Sequence, residues 1–472
     1  MTSPYPHHTR PAMFATCRYS LDFALRHAAW TLLLVGGLAH PAAAAQPWPR
    51  FRGPNGAGIA EAPRVPDQWN RDDANWVVPL PGPGAGSPVV WNGKVYITAA
   101  EEPDVAKAGK RAGGKAGAKG QGKAKANAKA ATKAADEATD ADSSRRVLLC
   151  LNAADGKTLW QHAVTLPVDK RHRNNSLASS TPAADELGVV VLWQSRQSSP
   201  LIAFDHDGHE RWRYDLGPYL HGQGGGTSPI IAGELVIVAN DHADGSYLLA
   251  VDRASGREVW KVSREGKRAC YATPCVRELG GGDTEIVFSH CFEGLVGVSP
   301  QTGKTNWHAD VFGRFAQRAV GSPILWKDLV IANSGAATGD KNLVAVRPGA
   351  ADAQEVYRID RQTPHVPTAL AYQDRLYLWN DAGIVTCVNA ADGSKIWQSR
   401  VGGSKYFASP ICVSGRLLNV DAEGVVRVVA TGDSFRKLGE TDLGDPCRAT
   451  PAVADGALYV RTDAWLHSVG GR

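Results

Sequence analysis

The chain has 472 residues, too many for one ordinary hydrophobic core, so its length predicts either several domains or an array of repeats. Glycine (50), proline (28) and tryptophan (14) are abundant, a composition that favours many short strands joined by tight turns. The net charge of +5 is unevenly distributed, because residues 101–146 carry +4, residues 1–45 carry +2 and the remainder carries −1. The part predicted to fold is therefore not basic, which argues against a nucleic-acid partner for it.

Residues 1–45 have the pattern of a secretory signal peptide. Three arginines precede a short apolar run, Ala28–Ala39, and small residues follow it as far as Ala45. The run is too short to span a membrane comfortably, and an amphipathic helix of the folded domain is the alternative. No Leu-x-x-Cys lipid-attachment pattern precedes the cleavage region. We therefore expect a periplasmic or secreted protein with no transmembrane segment after signal removal.

One unit recurs eight times after the leader. Each unit begins with Ser-Pro or Thr-Pro (Thr-Ala in the sixth), continues into an apolar strand, turns and returns in a second strand. The residues that open the units, called anchors here, are Ser87, Thr181, Ser228, Thr273, Ser322, Thr368, Ser409 and Thr450. From Thr181 onward the spacing of the anchors is 41 to 49 residues. A period of this size is typical of β-propellers and solenoids.

The second half of a typical unit is a strand, a turn closed by glycine, and a strand that carries an aromatic residue; the seventh unit carries Leu438 at this position instead. Ala250–Trp260, which reads AVDRASGREVW, is an example. Glycine supplies the positive φ that such a turn needs. Because the aromatic residue recurs once per unit, we expect it to wedge between adjacent blades, with ligand stacking as the alternative. The residues in this position are Trp76, Trp160, Trp212, Trp260, Trp307, Tyr357 and Trp397.

The last unit holds only about three strands, and residues 75–78 resemble the missing outer strand. We therefore predict an all-β fold over residues 74–472, an eight-bladed β-propeller of four-stranded antiparallel blades whose ring is closed by an N-terminal strand. Residues 46–73 precede it as an N-terminal extension. The Ala-, Lys- and Gly-rich residues 101–146 interrupt the first blade, and their composition predicts a disordered insert, either a passive loop or a basic tether.

The unit A-x-D-x-x-[ST]-G-x-x-x-W resembles the docking motif of PQQ-like (quinoprotein-type) β-propeller repeats. Trp48–Gly56, residues 174–182 and the ending Leu458–Asp463 are similar to segments of secreted bacterial PQQ-repeat proteins grouped with the outer-membrane assembly factor BamB. The resemblance covers nearly all of residues 46–472 except the insert. The implied fold, the signal-peptide pattern and the lack of recognisable catalytic motifs together lead us to expect an exported, non-catalytic scaffold that binds a protein or a cell-envelope component, and we expect it to be a monomer.

The same resemblance leaves an enzymatic alternative open, because quinoprotein dehydrogenases hold PQQ and calcium on this fold. The sequence has no adjacent Cys-Cys pair and no Cys-x-x-Cys-His motif for haem attachment. Its Glu, Asn and Asp residues do not map onto the calcium-binding set. We therefore expect no catalytic residue and no cofactor, with a PQQ- and calcium-dependent oxidoreductase as the alternative and a carbohydrate-binding or sugar-processing propeller as a third.

Polar residues gather where strands are expected to reach the mouth of the central channel, and propellers bind ligands at such mouths. The alternative is a structural role, in which these residues cap strand ends and contact channel water. The candidate ligand-binding residues are His172, Asn174, Asn175, His221, Asn240, Asp241, Arg264, Asp381 and Arg461.

Seven cysteines follow the leader, and three of them lie close together in the fourth unit. Aligning the hairpins of the units puts Cys291 opposite the region of Cys270, so a disulfide between these two and a pair of small buried thiols both stay open. No metal site is expected, because no second Cys or His pair has zinc-like spacing.

Overall fold

The computed structural model describes residues 46–101, 143–266, 268–313, 318–336, 341–403 and 405–471. The predicted signal peptide lies outside the described residues, and so does the insert from residue 102 to residue 142. The described chain is all-β, with two 3₁₀ turns at Pro54–Gly56 and Arg71–Asp73. Its strands form eight antiparallel sheets, so the prediction of an eight-bladed β-propeller is confirmed.

Blades are numbered here by the order of their anchors. A short strand β1, Ile59–Ala60, precedes them. The strands of blades 1 to 4 are β3 Val89–Trp91, β4 Lys94–Glu101, β5 Ser143–Asn152 and β6 Thr158–Pro167; β7 Ala183–Asp185, β8 Gly188–Leu192, β9 Pro200–Phe204 and β10 Glu210–Asp215; β11 Ile230–Ala232, β12 Leu235–Asn240, β13 Tyr247–Asp252 and β14 Glu258–Ser263; β15 Cys275–Gly280, β16 Asp283–His290, β17 Gly294–Val298 and β18 Thr305–Ala309. Those of blades 5 to 8 are β19 Ile324–Trp326, β20 Leu329–Gly335, β21 Lys341–Pro348 and β22 Ala353–Ile359; β23 Leu370–Tyr372, β24 Arg375–Trp379, β25 Ile384–Asn389 and β26 Lys395–Arg400; β27 Ile411–Val413, β28 Arg416–Val420, β29 Val425–Ala430 and β30 Lys437–Asp442; β31 Ala452–Ala454, β32 Ala457–Arg461, β33 Trp465–Gly470 and the N-terminal β2 Ala74–Pro79.

The N-terminal strand closes the ring as predicted. β2 pairs antiparallel with β33, with Trp76 opposite Ser468, and so supplies the outer strand of blade 8. β1 adds to blade 7 by parallel pairing with β27, with Ile59 opposite Cys412. Both ends of the described chain are therefore held by sheet hydrogen bonds, which leaves fewer exposed sheet edges.

The insert interrupts blade 1 between its second and third strands. The two strands continue further than the sequence suggested, because Glu101 pairs with Arg145 across the sheet and their side chains form an ion pair of 2.7 Å. The predicted boundaries of 101–146 therefore include five residues that belong to strands, namely Glu101 and residues 143–146.

Burial explains the strand sequences. The second and third strands of each blade are covered on both faces, and β8 and β9 are buried at every position, which matches their continuous apolar runs. The outermost strand instead alternates, as in Glu258–Ser263, where Trp260 is buried and the flanking residues are exposed. One face of that strand packs on the next blade and the other faces solvent.

The recurrent aromatic residues dock adjacent blades through one shared contact. The Trp212 indole N–H donates to the Arg253 carbonyl of blade 3 over 2.9 Å. A Cβ on Gly256 would lie 2.6 Å from the same indole ring, so only glycine leaves room for it. Equivalent bonds to the next blade's turn are made by Trp76, Trp160, Trp260, Tyr357 and Trp397.

Trp307 departs from this pattern. It packs in the hydrophobic cluster between blades 4 and 5, but its N–H donates to Oε1 of Glu285 in its own blade over 2.7 Å. Glu285 is buried and also accepts from Arg277 over 2.8 Å. The turn of blade 5 therefore receives no indole hydrogen bond from Trp307.

The segment from Trp48 to Gly58, called the crossing segment here, lies across the central channel. Trp48 pairs with Val90 of blade 1, and the carbonyl oxygen of Pro49 accepts the N–H of Ala184 in blade 2. On the other side, Arg52 donates to the carbonyl oxygens of Ala369 and Pro410, at 3.0 and 3.3 Å. The first strands of the blades thus surround this segment, and the predicted N-terminal extension is part of the propeller core.

Candidate binding site at the mouth of the central channel

The anchors form a belt of hydrogen bonds around the channel. The backbone N–H of one anchor donates to the side-chain oxygen of the anchor in the next blade. Six such bonds of 2.9 to 3.0 Å are seen in the described chain, from Ser87 to Thr181, Thr181 to Ser228, Thr273 to Ser322, Ser322 to Thr368, Thr368 to Ser409 and Ser409 to Thr450. The hydroxyl in the repeat therefore has a structural role that sequence reasoning did not identify, namely to satisfy a buried N–H at these six blade junctions.

A cavity of about 690 Å³ opens on this belt. Its volume is within the range of small-molecule sites. Phe51 of the crossing segment faces it, together with Tyr271, Tyr406 and Phe407. The anchors that line it are Thr181, Ser228, Thr273, Thr368, Ser409 and Thr450. We call this cavity with its lining the channel mouth.

The channel mouth is strongly cationic. One carboxylate, that of Asp381, lies among its described lining residues. The five cationic side chains are Arg268, Arg318, Lys341, Lys405 and Arg448. An excess of one charge sign in a cleft concentrates ligands of the opposite sign, so the channel mouth is suited to anionic groups.

The cations differ in how far they are neutralised. Arg448 forms an ion pair with Asp463, with two contacts of 2.9 Å. The Lys341 ammonium lies 3.6 Å from the Asp381 carboxylate. The Arg318 guanidinium interacts with the hydroxyl of Tyr271, and Lys405 is exposed. No carboxylate among the described residues forms an ion pair with Arg318 or Lys405, so the two charges remain available to an anionic ligand.

Asp381 is occupied by structural hydrogen bonds. Its carboxylate accepts the backbone N–H groups of His365 and Val366, at 2.7 and 3.1 Å. Its own carbonyl oxygen accepts the N–H of Tyr406 from the next crossover loop. Asp381, a candidate from the sequence, lines the cavity, but its side chain fixes the loop that precedes blade 6.

Two histidines near the cations are held neutral. Burial lowers the pKa of His221 to about 4, and the charges of Arg318 and Arg268 add to this shift. Burial also lowers the pKa of His365, with Asp381 acting in the opposite direction. At neutral pH the positive charge of the channel mouth therefore comes from Arg and Lys side chains.

The other sequence-derived candidates fall into two groups. His172, Asn174 and Asn175 line the cavity, and the Asn175 amide donates to the carbonyl oxygens of Gln223 and Gly225 at 2.8 and 3.0 Å. His221 borders a small adjoining pocket, where it lies 3.4 Å from the Tyr271 hydroxyl. These four residues come together around the glycine-rich loop before blade 3.

The remaining candidates are internal. Arg264 is 2 % exposed, and its guanidinium contacts Glu293 at 2.7 Å and Asp241 at 3.4 Å. Asn240 accepts from Gln194 over 3.1 Å. Arg461 is buried between blades 8 and 1, where it donates to the carbonyl oxygens of Gly86 and Thr98 and burial lowers its pKa to about 10.

Sequence reasoning missed the cations and the aromatic residues of the channel mouth. Four of the cations precede an anchor by two to five residues, as Arg318 precedes Ser322 and Lys405 precedes Ser409. Crossover loops enter the first strands at these positions, so a basic residue shortly before Ser-Pro or Thr-Pro is the signal that could have found them.

The candidate disulfide is absent from this structure, where both cysteines are free thiols and the Cys291 N–H lies 3.3 Å from Sγ of Cys270. The two residues are adjacent in space, as the hairpin alignment predicted. His290 joins them, which the spacing of Cys and His along the sequence did not reveal.

The described lining of the channel mouth does not fit a calcium ion. Calcium takes six to eight oxygen ligands, with carboxylates prominent among them. The cavity offers Asp381, which already accepts two N–H groups, and the amides of Asn174 and Asn175, one of which donates to backbone. Five cations around the same space would repel a divalent metal ion.

None of the helices found among the described residues has the length and apolarity that a membrane crossing requires.

Comparisons with known proteins agree with the repeat and the fold. A family model described as outer membrane protein assembly factor BamB matches residues 144–359. BamB from Moraxella catarrhalis is 17 % identical, and the alignment covers 70 % of this chain and 92 % of that one with a TM-score of 0.52. A europium-containing methanol dehydrogenase is 11 % identical over 90 % of this chain and 98 % of its own, with a TM-score of 0.58.

At these identities the structural likenesses show the fold alone. A search of curated proteins found no match. The eight-bladed ring, the glycine–tryptophan docking unit and the family model over residues 144–359 support a β-propeller of the PQQ-like repeat kind.

Proposed function

We propose that the chain is an exported, monomeric, non-catalytic scaffold whose channel mouth binds an acidic part of a protein or cell-envelope partner. The observation that carries this proposal is the charge of the described cavity lining, with five cationic side chains against one carboxylate that is already hydrogen-bonded. Complementary charge raises association rates and selects among partners. Aromatic side chains such as Tyr271 and Phe407 add apolar contact area at the same place.

Export rests on the leader pattern of residues 1–45 and on the family model, whose description is that of an outer membrane protein assembly factor. The non-catalytic assignment is supported by the donor set of the described channel mouth, which does not match a calcium cage. Methanol dehydrogenase shares the fold, and fold alone does not transfer an activity.

Charge reversal tests the proposal. The probe is a labelled poly-glutamate peptide, with poly-lysine of the same length as the negative probe. Arg318→Glu combined with Lys405→Glu reverses two charges of the channel mouth, and Arg257→Glu combined with Lys395→Glu reverses two exposed charges outside it. We expect at least about tenfold weaker poly-glutamate binding for the first pair, about 1.4 kcal/mol, and a change below about twofold for the second.

Two outcomes would contradict the proposal. Equal loss of poly-glutamate binding in both variants would mean that the acidic probe binds elsewhere on the surface and not at the channel mouth. Saturable, calcium-dependent PQQ binding with a quinone absorbance would favour the oxidoreductase instead. A partner cross-linked from envelope extracts supports the scaffold when the first variant loses it and the second retains it.

A further inference from the structure

Blade 4 brings two thiols and an imidazole together. Cys270 lies in the crossover loop between β14 and β15, whereas His290 ends β16 and Cys291 follows it. One sulfur or nitrogen atom from each side chain lies within 4.8 Å of the corresponding atom of the other two. His290 lies 20 positions after Cys270 along the chain, so the fold, not the local sequence, creates the cluster.

The cluster is shielded from water. The exposed fractions of Cys270, His290 and Cys291 are 1 %, 0 % and 1 %, and Ala272 and Ala319 pack beside the sulfur atoms. The ring nitrogens of His290 face the Phe292 N–H at 3.2 Å and the Arg268 carbonyl oxygen at 3.3 Å. Both contacts are at the long end of hydrogen-bond distances, so the imidazole can exchange one of them for another ligand.

We propose that Cys270, His290 and Cys291 bind one thiolate-preferring transition-metal ion of the Zn²⁺ class. Zinc accepts Cys sulfur at about 2.3 Å and His nitrogen at about 2.0 Å in a tetrahedral arrangement, which places the ligand atoms roughly 3.5 to 3.8 Å apart. Separations of up to 4.8 Å reach these values by small side-chain rotations. Binding releases the two thiol protons, and the two thiolates then neutralise the divalent ion.

Three protein ligands leave one coordination position for water or for a further group. The site would tie the crossover loop to the end of β16. That loop also carries Arg268 and Tyr271, both of which line the channel mouth, and the Tyr271 N–H donates to the Ala319 carbonyl oxygen. A bound ion would therefore hold Arg268 and Tyr271 of the channel mouth in place. This proposal does not depend on whether the channel mouth binds an acidic partner.

Metal binding and a disulfide between Cys270 and Cys291 exclude each other, because both use the same sulfur atoms. The test therefore uses the full chain, purified under reducing conditions, stripped with a chelator and then reloaded. Zn²⁺ per chain is measured by elemental analysis after desalting. Co²⁺ serves as a second probe, because thiolate-to-cobalt charge-transfer absorption reports sulfur ligation directly in the unmodified chain.

We expect one Zn²⁺ per chain and a thiolate-to-cobalt band in the wild-type protein. Cys270→Ala, Cys291→Ala and His290→Ala should each weaken Zn²⁺ binding by at least about tenfold, because loss of even a residue that only orients a ligand costs about that much. The matched control is Cys412→Ala, which removes an equally buried thiol from blade 7 and should retain the ion.

A wild-type chain that takes up no Zn²⁺ and shows no thiolate-to-cobalt band after reduction overturns the proposal, even if none of the variants folds. Uptake that survives Cys270→Ala does the same. Peptide mapping of the chain as isolated shows whether Cys270 and Cys291 form a disulfide. If they do, and if the reduced chain then binds neither Zn²⁺ nor Co²⁺, the two cysteines form a disulfide and not a metal site.

Discussion

The Trp212 indole of blade 2 covers Gly256 of blade 3, and the glycine has no room for a side chain. Its φ is +70°, and an added Cβ would lie 2.6 Å from the indole ring. The two residues stand 44 positions apart, about one repeat, so each blade supplies the indole for the next blade's turn. Blade docking therefore depends on two residues that can both be recognised from the repeat in the sequence.

Gly256→Ala should lower the free energy of unfolding by about 3 kcal/mol, because it combines a strained φ with overpacking against the indole. Gly233 is the matched control, since its φ is +56° and an added Cβ would meet no atom within 4 Å. Gly233→Ala should cost about 1 kcal/mol, from backbone strain alone. Urea unfolding measures both, and equal costs would show that the indole contributes nothing to the requirement for glycine.

Arg52 is a buried charge that joins blades 6 and 7. It is fully buried, its guanidinium donates to the carbonyl oxygens of Ala369 and Pro410, and burial lowers its pKa to about 9. Arg52→Ala should cost on the order of 3 kcal/mol, because two hydrogen bonds from a charged group are lost together with the packing of a long side chain.

Arg64 provides the comparison for this prediction. It belongs to the same N-terminal extension but is exposed. Arg64→Ala should change the free energy of unfolding by less than about 0.5 kcal/mol. If Arg52→Ala lowered the free energy of unfolding no more than Arg64→Ala does in thermal unfolding, the contacts of Arg52 in the crossing segment would not contribute to the stability of the ring.

The ring could be predicted from sequence because its signals repeat. Each anchor marks a first strand, so the eight anchors give the blade count, and the recurrent glycine–aromatic unit marks junctions between blades. Trp76 revealed the closing strand for the same reason. These features are local and periodic, which is what a single sequence can show.

The channel mouth could not be predicted in the same way. Arg268, Arg318 and Lys405 lie in crossover loops, whose irregular lengths hide which side chains point toward the axis. Asp241 and Arg264 show the opposite error. Their polar character suggested a ligand site, but in the structure they form an internal ion pair. The path of the crossing segment depends on contacts with four or more blades, so no local pattern encodes it.

Thr368 shows what the anchor hydroxyl contributes. Its side-chain oxygen accepts the Ser322 N–H over 3.0 Å in a buried position. Thr368→Val keeps the shape but leaves that N–H without an acceptor, which should cost about 2 kcal/mol. Thr368→Ser keeps the acceptor and should cost less than about 1 kcal/mol, roughly the loss of one methyl group. Equal destabilisation in chemical unfolding would mean that the methyl group, not the hydrogen bond, explains the anchor.

Histidines that burial keeps neutral determine how the free energy of unfolding changes at acidic pH. Burial lowers the pKa of His467 to about 4, as it does for His221, whereas both titrate near 6.5 in the unfolded chain. Between pH 6.5 and 4 the unfolded state therefore binds protons that the folded state does not. The free energy of unfolding should be highest above pH 6.5 and should fall as the pH drops toward 4.

His467→Leu should make this dependence shallower, because one titrating difference between the two states is removed while the apolar packing of β33 is kept. His209→Leu is the control, since His209 is exposed and its pKa is raised by the hydrogen bond to Asp205. Urea unfolding of the three proteins at several pH values between 4 and 7 gives the slopes directly. A His467→Leu slope equal to that of the wild type would show that His467 is protonated in the folded state well above pH 4, and that the buried face of β33 admits water.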